Sequence, residues 1–251
     1  MRCGSEHRTA RTTIEYRTAP GKPTERATTE RKRAMPRPSK PLISRAATVA
    51  ASIEIIDSEG LDAFSMPRLA KHLGVQAPSL YHHFADKSEI LAAVARSIAG
   101  AGPMPRRRPG PDWPEFFVTL GLNLRKSILR HRNAAPILIQ YLPRDLLIGT
   151  YEETAQFLRA SGVPLHLHVR ILDGMERITI GAALTEAMRP TGTRAIFPNI
   201  DREMQPTLAE AIDANELTSK QLFEEMIRCF LYGVMREARE TASVETSEVS
   251  A

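Results

Sequence analysis

Gly74 and Pro78 stand four residues apart in SMPRLAKHLGVQAPSLYHHF, residues 65–84. No single helix runs comfortably through that stretch. Glycine ends a helix by taking a left-handed backbone just past its last turn, and proline, lacking an amide proton, is tolerated only in a helix's first turn. Ser65 is an N-cap residue type with Pro67 just behind it. The spacing therefore predicts a helix of about eight residues, a turn at Gly74-Val75-Gln76 and a second short helix opened by Pro78, which is a helix-turn-helix. Ala70 is small where the two helices must cross, and Leu69, Leu73, Val75, Leu80 and Phe84 face the core. Gln76, Ala77, Pro78, Ser79, His82, His83 and the edge of Tyr81 are left outward. Short polar and small apolar side chains in that array suit base edges and thymine methyls in a major groove, and a helix N-terminus at Pro78 offers amides to a phosphate. His82 points furthest from the Leu80/Phe84 side and is the candidate base contact, whereas His83 either reads a base or packs. Adjacent histidines on a helix diverge by about 100° and chelate a metal poorly.

The flanks are helical too. Ala46, Val49, Ala50, Ile53 and Ile56 recur at helical spacing up to Gly60, and Asp86-Lys-Ser-Glu89 has the capping-box pattern ahead of Ile90, Leu91, Val94 and Ile98. Residues 100–114 form a break carrying Arg106-Arg107-Arg108 and several prolines. Helical periodicity then resumes over 113–131, 136–147, 148–160, 164–188, 202–214 and 218–239. No stretch reads as a strand, so the fold class is all-α. The expected organisation is a disordered basic arm over 1–40, a DNA-binding domain over 41–100, a helical ligand-binding and dimerisation domain over 112–240 and a disordered tail over 241–251.

Charge separates the arm from the rest. Residues 1–40 carry 11 Lys/Arg against 4 Asp/Glu, or +7, while the whole chain carries a formal +5. Such an arm either attracts a polyanion by counterion release or is a solvated tail, and translation from Met35 would leave it out. Arg37 or Lys40 could enter a minor groove. Two cysteines, Cys3 and Cys229, make neither a disulfide framework nor a cysteine zinc site. No apolar run reaches the length of a membrane span and no secretory signal stands at the N-terminus, so the expected localisation is cytoplasmic.

Residues 43–94 resemble the DNA-binding domain of the tetracycline-repressor (TetR) family of bacterial regulators. The resemblance lies in the first helix, the Leu69-Ala70…Lys71…Leu73-Gly74-Val75 segment, the Ser79-Leu80-Tyr81…Phe84 recognition helix and the Asp86-Lys87…Glu89-Ile90-Leu91 start of the next helix. It implies that the third helix enters the major groove, that Tyr81 and Lys87 contact phosphates, and that Ser65 and Arg68 add phosphate or base contacts. Because the helix-turn-helix region is slightly acidic, Arg45 and the arm would supply non-specific attraction.

Residues 113–181 are similar, more sparsely, to the effector domain of the tetracycline-repressor class, through Trp113, His131-Arg132, Pro143, Gly162 and Gly181. Polar positions that hold the magnesium–tetracycline complex in that class fall here on Leu120, Leu138 and Leu142, and an aromatic one on Leu124. Apolar walls cannot satisfy a hydrophilic drug with a bound cation, so the expected effector is a fairly apolar small molecule, and no cofactor or metal is expected. Asn123, Tyr141, Met175 and Thr179 are the further candidate pocket residues, although each leucine could equally be ordinary core. His166 and His168 are expected on the surface or at an interface. Small residues (Gly174, Gly181, Ala182, Ala183, Gly233) among Ile171, Leu184, Phe230, Leu231 and Val234 suit a helix–helix interface, which in the family is a homodimer four-helix bundle. The resulting expectation is a repressor, not an enzyme, that binds a palindromic double-stranded DNA operator as a homodimer and is released by its effector. Two other readings remain open: a metal-dependent enzyme using His131, His166 and His168, and a non-specific DNA binder driven by the arm.

Overall fold

The computed structural model describes residues 43–141, 147–190, 196–197 and 199–249, with side chains to Glu237. Arg37, Lys40, Leu142 and Pro143 lie outside the described residues. Among those described there is helix and no strand, and residues from Pro41 onward form one compact unit. The order is α1 (Arg45–Glu59), α2 (Met66–Leu73), α3 (Ala77–Tyr81), α4 (Lys87–Ala99), α5 (Trp113–Arg130), a 3₁₀ turn (Arg132–Ala134), α6 (Ile137–Tyr141), α7 (Ile148–Ala160), α8 (Leu165–Ala187), α9 (Pro206–Asp213) and α10 (Ser219–Val249).

The helix boundaries follow local chemistry. Ser44 caps α1 by accepting from the Ala47 amide at 3.1 Å, Ser65 caps α2 by accepting from Arg68, and Asp86 caps α4 by accepting from Glu89 at 2.8 Å. Glu89 reaches back one residue further than a capping box requires, to the Ala85 amide. The last helix continues to Val249 and does not stop near Arg239. No glycine or proline interrupts 240–249, and each residue added to an existing helix gains a hydrogen bond without a new nucleation cost.

Two buried clusters organise the unit. One joins Ile55, Leu69, Leu80 and Val94 of the first four helices, and Phe84 between the third and fourth, to Ile128, Ile137, Leu138 and Leu184. The second joins Trp113, Phe117, Leu158, Ile171 and Met175 to Phe223, Ile227 and Leu231. The helix-turn-helix therefore rests on the ends of α5, α6 and α8. Polar contacts reinforce that seam. His131 Nδ1 lies 2.7 Å from an Asp57 carboxylate oxygen, Asn133 donates to the Asp57 carbonyl, and Arg132 donates to the carbonyls of Glu186 and Arg189.

The small-residue stripe of α8 and α10 divides in two. Ile171, Ala183, Leu184, Leu231 and Val234 are buried within this chain, and Gly174 packs directly under the Phe230 ring. Helical geometry turns the opposite side outward, where Leu165, Val169, Gly181, Met226, Cys229, Tyr232 and Gly233 are exposed. No helix among the described residues is long and apolar enough to cross a membrane.

Candidate DNA interface and ligand cavity

The turn between α2 and α3 is built by Gly74. Its φ of 67° and ψ of 32° are left-handed, a conformation costly for a residue with a Cβ. The Gly74 amide donates to Lys71 and the Val75 amide to Ala70, the paired bonds of a Schellman motif. Leu80 and Phe84 are fully buried, each stabilising by about 1.5–3 kcal/mol, and so fix how α3 sits on the core.

What α3 presents outward is now definite. Gln76, Pro78, Tyr81 and His82 are exposed, while Ala77, Ser79 and His83 are half-buried. Tyr81 is 54% exposed, which rules out a core role. The helix is shorter than the sequence suggested: it ends at Tyr81, and His82 and His83 occupy the turn that follows. The His83 amide and the Phe84 amide both donate to the Leu80 carbonyl there.

The expected cationic contacts are engaged within the chain. The Arg45 guanidinium donates to the His83 carbonyl, pairs with Glu89 at 2.6 Å and lies 4.1 Å over the Phe84 ring. The Ala85 amide and then Arg45 hold the Glu89 carboxyl below its ordinary value. Arg68 grips Glu59 with both sides of its guanidinium, which lowers that carboxyl too. Lys87 donates to the Phe64 carbonyl at 2.8 Å. Ser65 is half-buried and occupied in capping. Among the described residues, the side chains of Gln76, Ser79, Tyr81 and His82 stand outward or half-outward beside these engaged groups. Arg45 was legible as a cation near the interface, but its carboxylate partner lies 44 residues along the chain.

Between the two buried clusters lies a cavity of about 300 Å³, at the lower end of the size range of small-molecule sites. Leu120, Asn123, Leu124, Leu138, Met175 and Thr179 line it, as the sequence suggested. Tyr141 does not. It is one turn from Ile137 on α6, and so follows that residue onto the helix-turn-helix core. Asn123 does line the cavity, but its amide donates to the Pro103 carbonyl at 2.7 Å and pins the α4–α5 connection to α5. Gly102 fits beneath it, because a Cβ there would fall 2.9 Å from the Asn123 Cβ. Residues the sequence did not single out complete the walls: Ala99 and Gly100 at the end of α4, Phe117 and Gly121 on α5, Thr150, Tyr151 and Thr154 on α7, and Leu172, Glu176 and Ile180 on α8. The Tyr151 hydroxyl donates to Glu176. The α8 residues were within reach of sequence reasoning, since Leu172, Met175, Glu176 and Thr179 share one helical side.

The C-terminal histidines do not converge. His131 is on Asp57, and His168 is buried with its Nε2 3.0 Å from the Val163 carbonyl. That carbonyl lies five residues back, ahead of the α8 N-terminus, and the ring is buried within this chain, so His168 is not the surface or interface residue expected. Only His166 of this pair is exposed. Among the described residues no group of three or more His, Cys, Asp or Glu is arranged to hold a metal.

Residues 49–94 match the family model described as bacterial regulatory proteins, tetR family, and residues 104–238 match that of the tetracyclin repressor-like C-terminal domain. The chain belongs to the TetR family of bacterial regulators. It is similar to the class D tetracycline repressor protein of Escherichia coli, with 25% identity over 194 residues, covering 75% of this chain and 89% of the relative. It is 39% identical over 163 residues to the HTH-type transcriptional repressor DrrR1 of Streptomyces coeruleorubidus, covering 61% of this chain and 59% of that one. Among solved structures it resembles the Streptomyces coelicolor TetR family protein ActR in complex with actinorhodin, with a TM-score of 0.64, 27% identity and coverage of 78% of this chain and 98% of that one. As a TetR-family member the chain is a DNA-binding transcriptional regulator, and its helix-turn-helix is α2–α3.

Proposed function

We propose that this TetR-family chain is a repressor that binds a palindromic operator as a homodimer in the cytoplasm and is released by a neutral, largely apolar small molecule. The observation that carries the effector reading is the position of the cavity. Its walls include the end of α4, the first residues of the α4–α5 connection and Leu138, which also belongs to the core under the helix-turn-helix. A ligand that prefers one arrangement of those walls biases the pose of α4, and with it the spacing of two recognition helices related by a dyad. The related ActR has been solved with actinorhodin bound, which supports a small-molecule effector for this chain.

The dimer reading rests on the exposed side of α8 and α10. Val169 is 77% exposed and Tyr232 56%, and the bare backbone at Gly181 and Gly233 has open space around it. A mixed large/small surface of that kind suits close helix–helix contact with a second copy. Two α3 helices would then read half-sites about 34 Å apart or slightly more. Tyr81 is proposed as a phosphate contact and His82 as a base contact. Arg45 acts as a positioning residue that holds the turn carrying both histidines.

The test is to follow operator release while titrating a panel of neutral apolar compounds against the full chain. Release by a compound that also protects the protein against thermal unfolding supports the reading. Compounds that bind and stabilise the protein without changing DNA affinity would leave it a regulator without an effector switch at this cavity.

A further inference from the structure

We infer that the effector carries an acceptor oxygen, a carbonyl or equivalent, that takes a hydrogen bond from the Thr179 hydroxyl on the α8 wall of the cavity. This rests on the effector reading above and adds to it the one directional contact that an apolar cavity needs. Thr179 is only 3% exposed and lines the cavity. Its hydroxyl behaves unlike those of Thr119, Thr154 and Thr185, each of which donates to the carbonyl one turn back. Among the described residues it makes no such bond, yet no fully buried side-chain oxygen or nitrogen is left unpaired. The Thr179 oxygen is therefore not sealed from open space, and the open space its residue lines is the cavity.

The neighbouring residue on α5 explains how it does so. Gly121 faces Thr179, and a Cβ built there would lie 3.3 Å from the Thr179 oxygen. Any larger side chain would cover the hydroxyl. The other atoms close to that Cβ position belong to Ile227 and Phe223, and neither side chain can accept the Thr179 proton. A buried hydroxyl without a partner costs about 1–3 kcal/mol, and water or a ligand oxygen removes that cost. Three other polar side chains of the cavity are already engaged: the Thr154 hydroxyl with backbone carbonyls, the Asn123 amide with Pro103 and the Tyr151 hydroxyl with Glu176; Thr150, the remaining threonine of the walls, is exposed rather than buried. Glu176 is the charged side chain among the described cavity residues. Burying an ion against apolar walls is costly. The ligand class is therefore neutral and apolar, with an oxygen placed to meet α8.

The probes are fluorene and 9-fluorenone, which share a shape and differ in one carbonyl. Their binding to the full chain is measured by equilibrium dialysis, read by their own ultraviolet absorbance. Wild-type protein is expected to prefer the ketone by roughly 3- to 10-fold, the usual net worth of one buried hydrogen bond. Thr179→Val, which keeps the shape, should bind fluorene as before and lose the preference, while Thr179→Ser should retain it. Equal binding of the two probes by wild type, or a preference that survives Thr179→Val, overturns the assignment of Thr179. If Thr179→Val does not fold by circular dichroism, loss of the preference in folded Thr179→Ser overturns it equally. Binding of neither probe would instead sink the effector reading of the cavity itself.

Discussion

Replacing Arg45 with alanine separates two roles for a cation beside the recognition helix. Arg45 lies over Phe84, donates to the His83 carbonyl and pairs with Glu89. At a largely exposed site the ring stack contributes about 0.5–1 kcal/mol and the carbonyl hydrogen bond about 1 kcal/mol, while the surface ion pair adds little. Arg45→Ala should therefore destabilise the fold by roughly 1–2 kcal/mol, lowering the melting temperature by roughly 2–8 °C for a chain of this size. Its effect on DNA comes through orientation: affinity falls because the turn holding His82 and His83 is released. The charge itself is already balanced by Glu89, so the slope of log affinity against log salt should stay unchanged. Arg45→Lys keeps the charge but cannot reproduce the fork, and should resemble Arg45→Ala in both stability and slope. The assay is fluorescence anisotropy on operator DNA at four or five salt concentrations, with thermal unfolding alongside. A slope shallower by about 0.9 in Arg45→Ala, restored in Arg45→Lys, is the mark of a lost phosphate contact and would refute the positioning role.

On the presented surface, Tyr81→Ala should weaken binding to every DNA sequence alike, whereas His82→Ala should relax preference at one base of each half-site by about 1–3 kcal/mol; a comparison of selected sequences separates the two. Arg228 hydrogen-bonds Glu115 and holds its carboxyl below its ordinary value of 4.5. The stability from that pair is complete above pH 4.5 and disappears as pH falls through the lowered value, so urea midpoints measured down the acid limb should fall less steeply in Glu115→Gln than in wild type. Gly174→Ala gains about 1 kcal/mol in helix propensity but sets a Cβ 2.1 Å from the Phe230 ring. Overpacking of that severity costs about 1–3 kcal/mol, so a net loss of stability is expected, turning to a gain in a Phe230→Ala background where the space is open.

Local chemistry was legible where the sequence acts on its neighbours. Ser65, Gly74, Pro78 and Asp86 each do what their residue type dictates within five positions, and α1, α5, α7 and α8 begin and end within a residue or two of the periodic pattern. Leucines at 120, 124 and 138 and the α8 residues Met175 and Thr179 do line a cavity. What the sequence hid depends on distant partners. Arg45 reads as a free cation until Glu89 and Phe84 stand beside it, and His168 as a surface residue until its ring nitrogen meets the Val163 carbonyl. The place of Tyr141 and the burial of part of the small-residue stripe were hidden for one reason: helical spacing says which residues share a side, not which neighbour that side meets. Ile171, Leu184 and Leu231 share a stripe that this chain buries against itself, leaving Val169 and Tyr232 to the outside.

Two α3 helices, held by a dyad, are proposed to read one DNA site. Selection of bound DNA from a random pool with the full chain tests it most directly. The predicted result is a pseudo-palindrome whose half-site centres are separated by about one helical turn, roughly 34 Å or slightly more. A single unpaired half-site, or no enrichment above the starting pool, would contradict it.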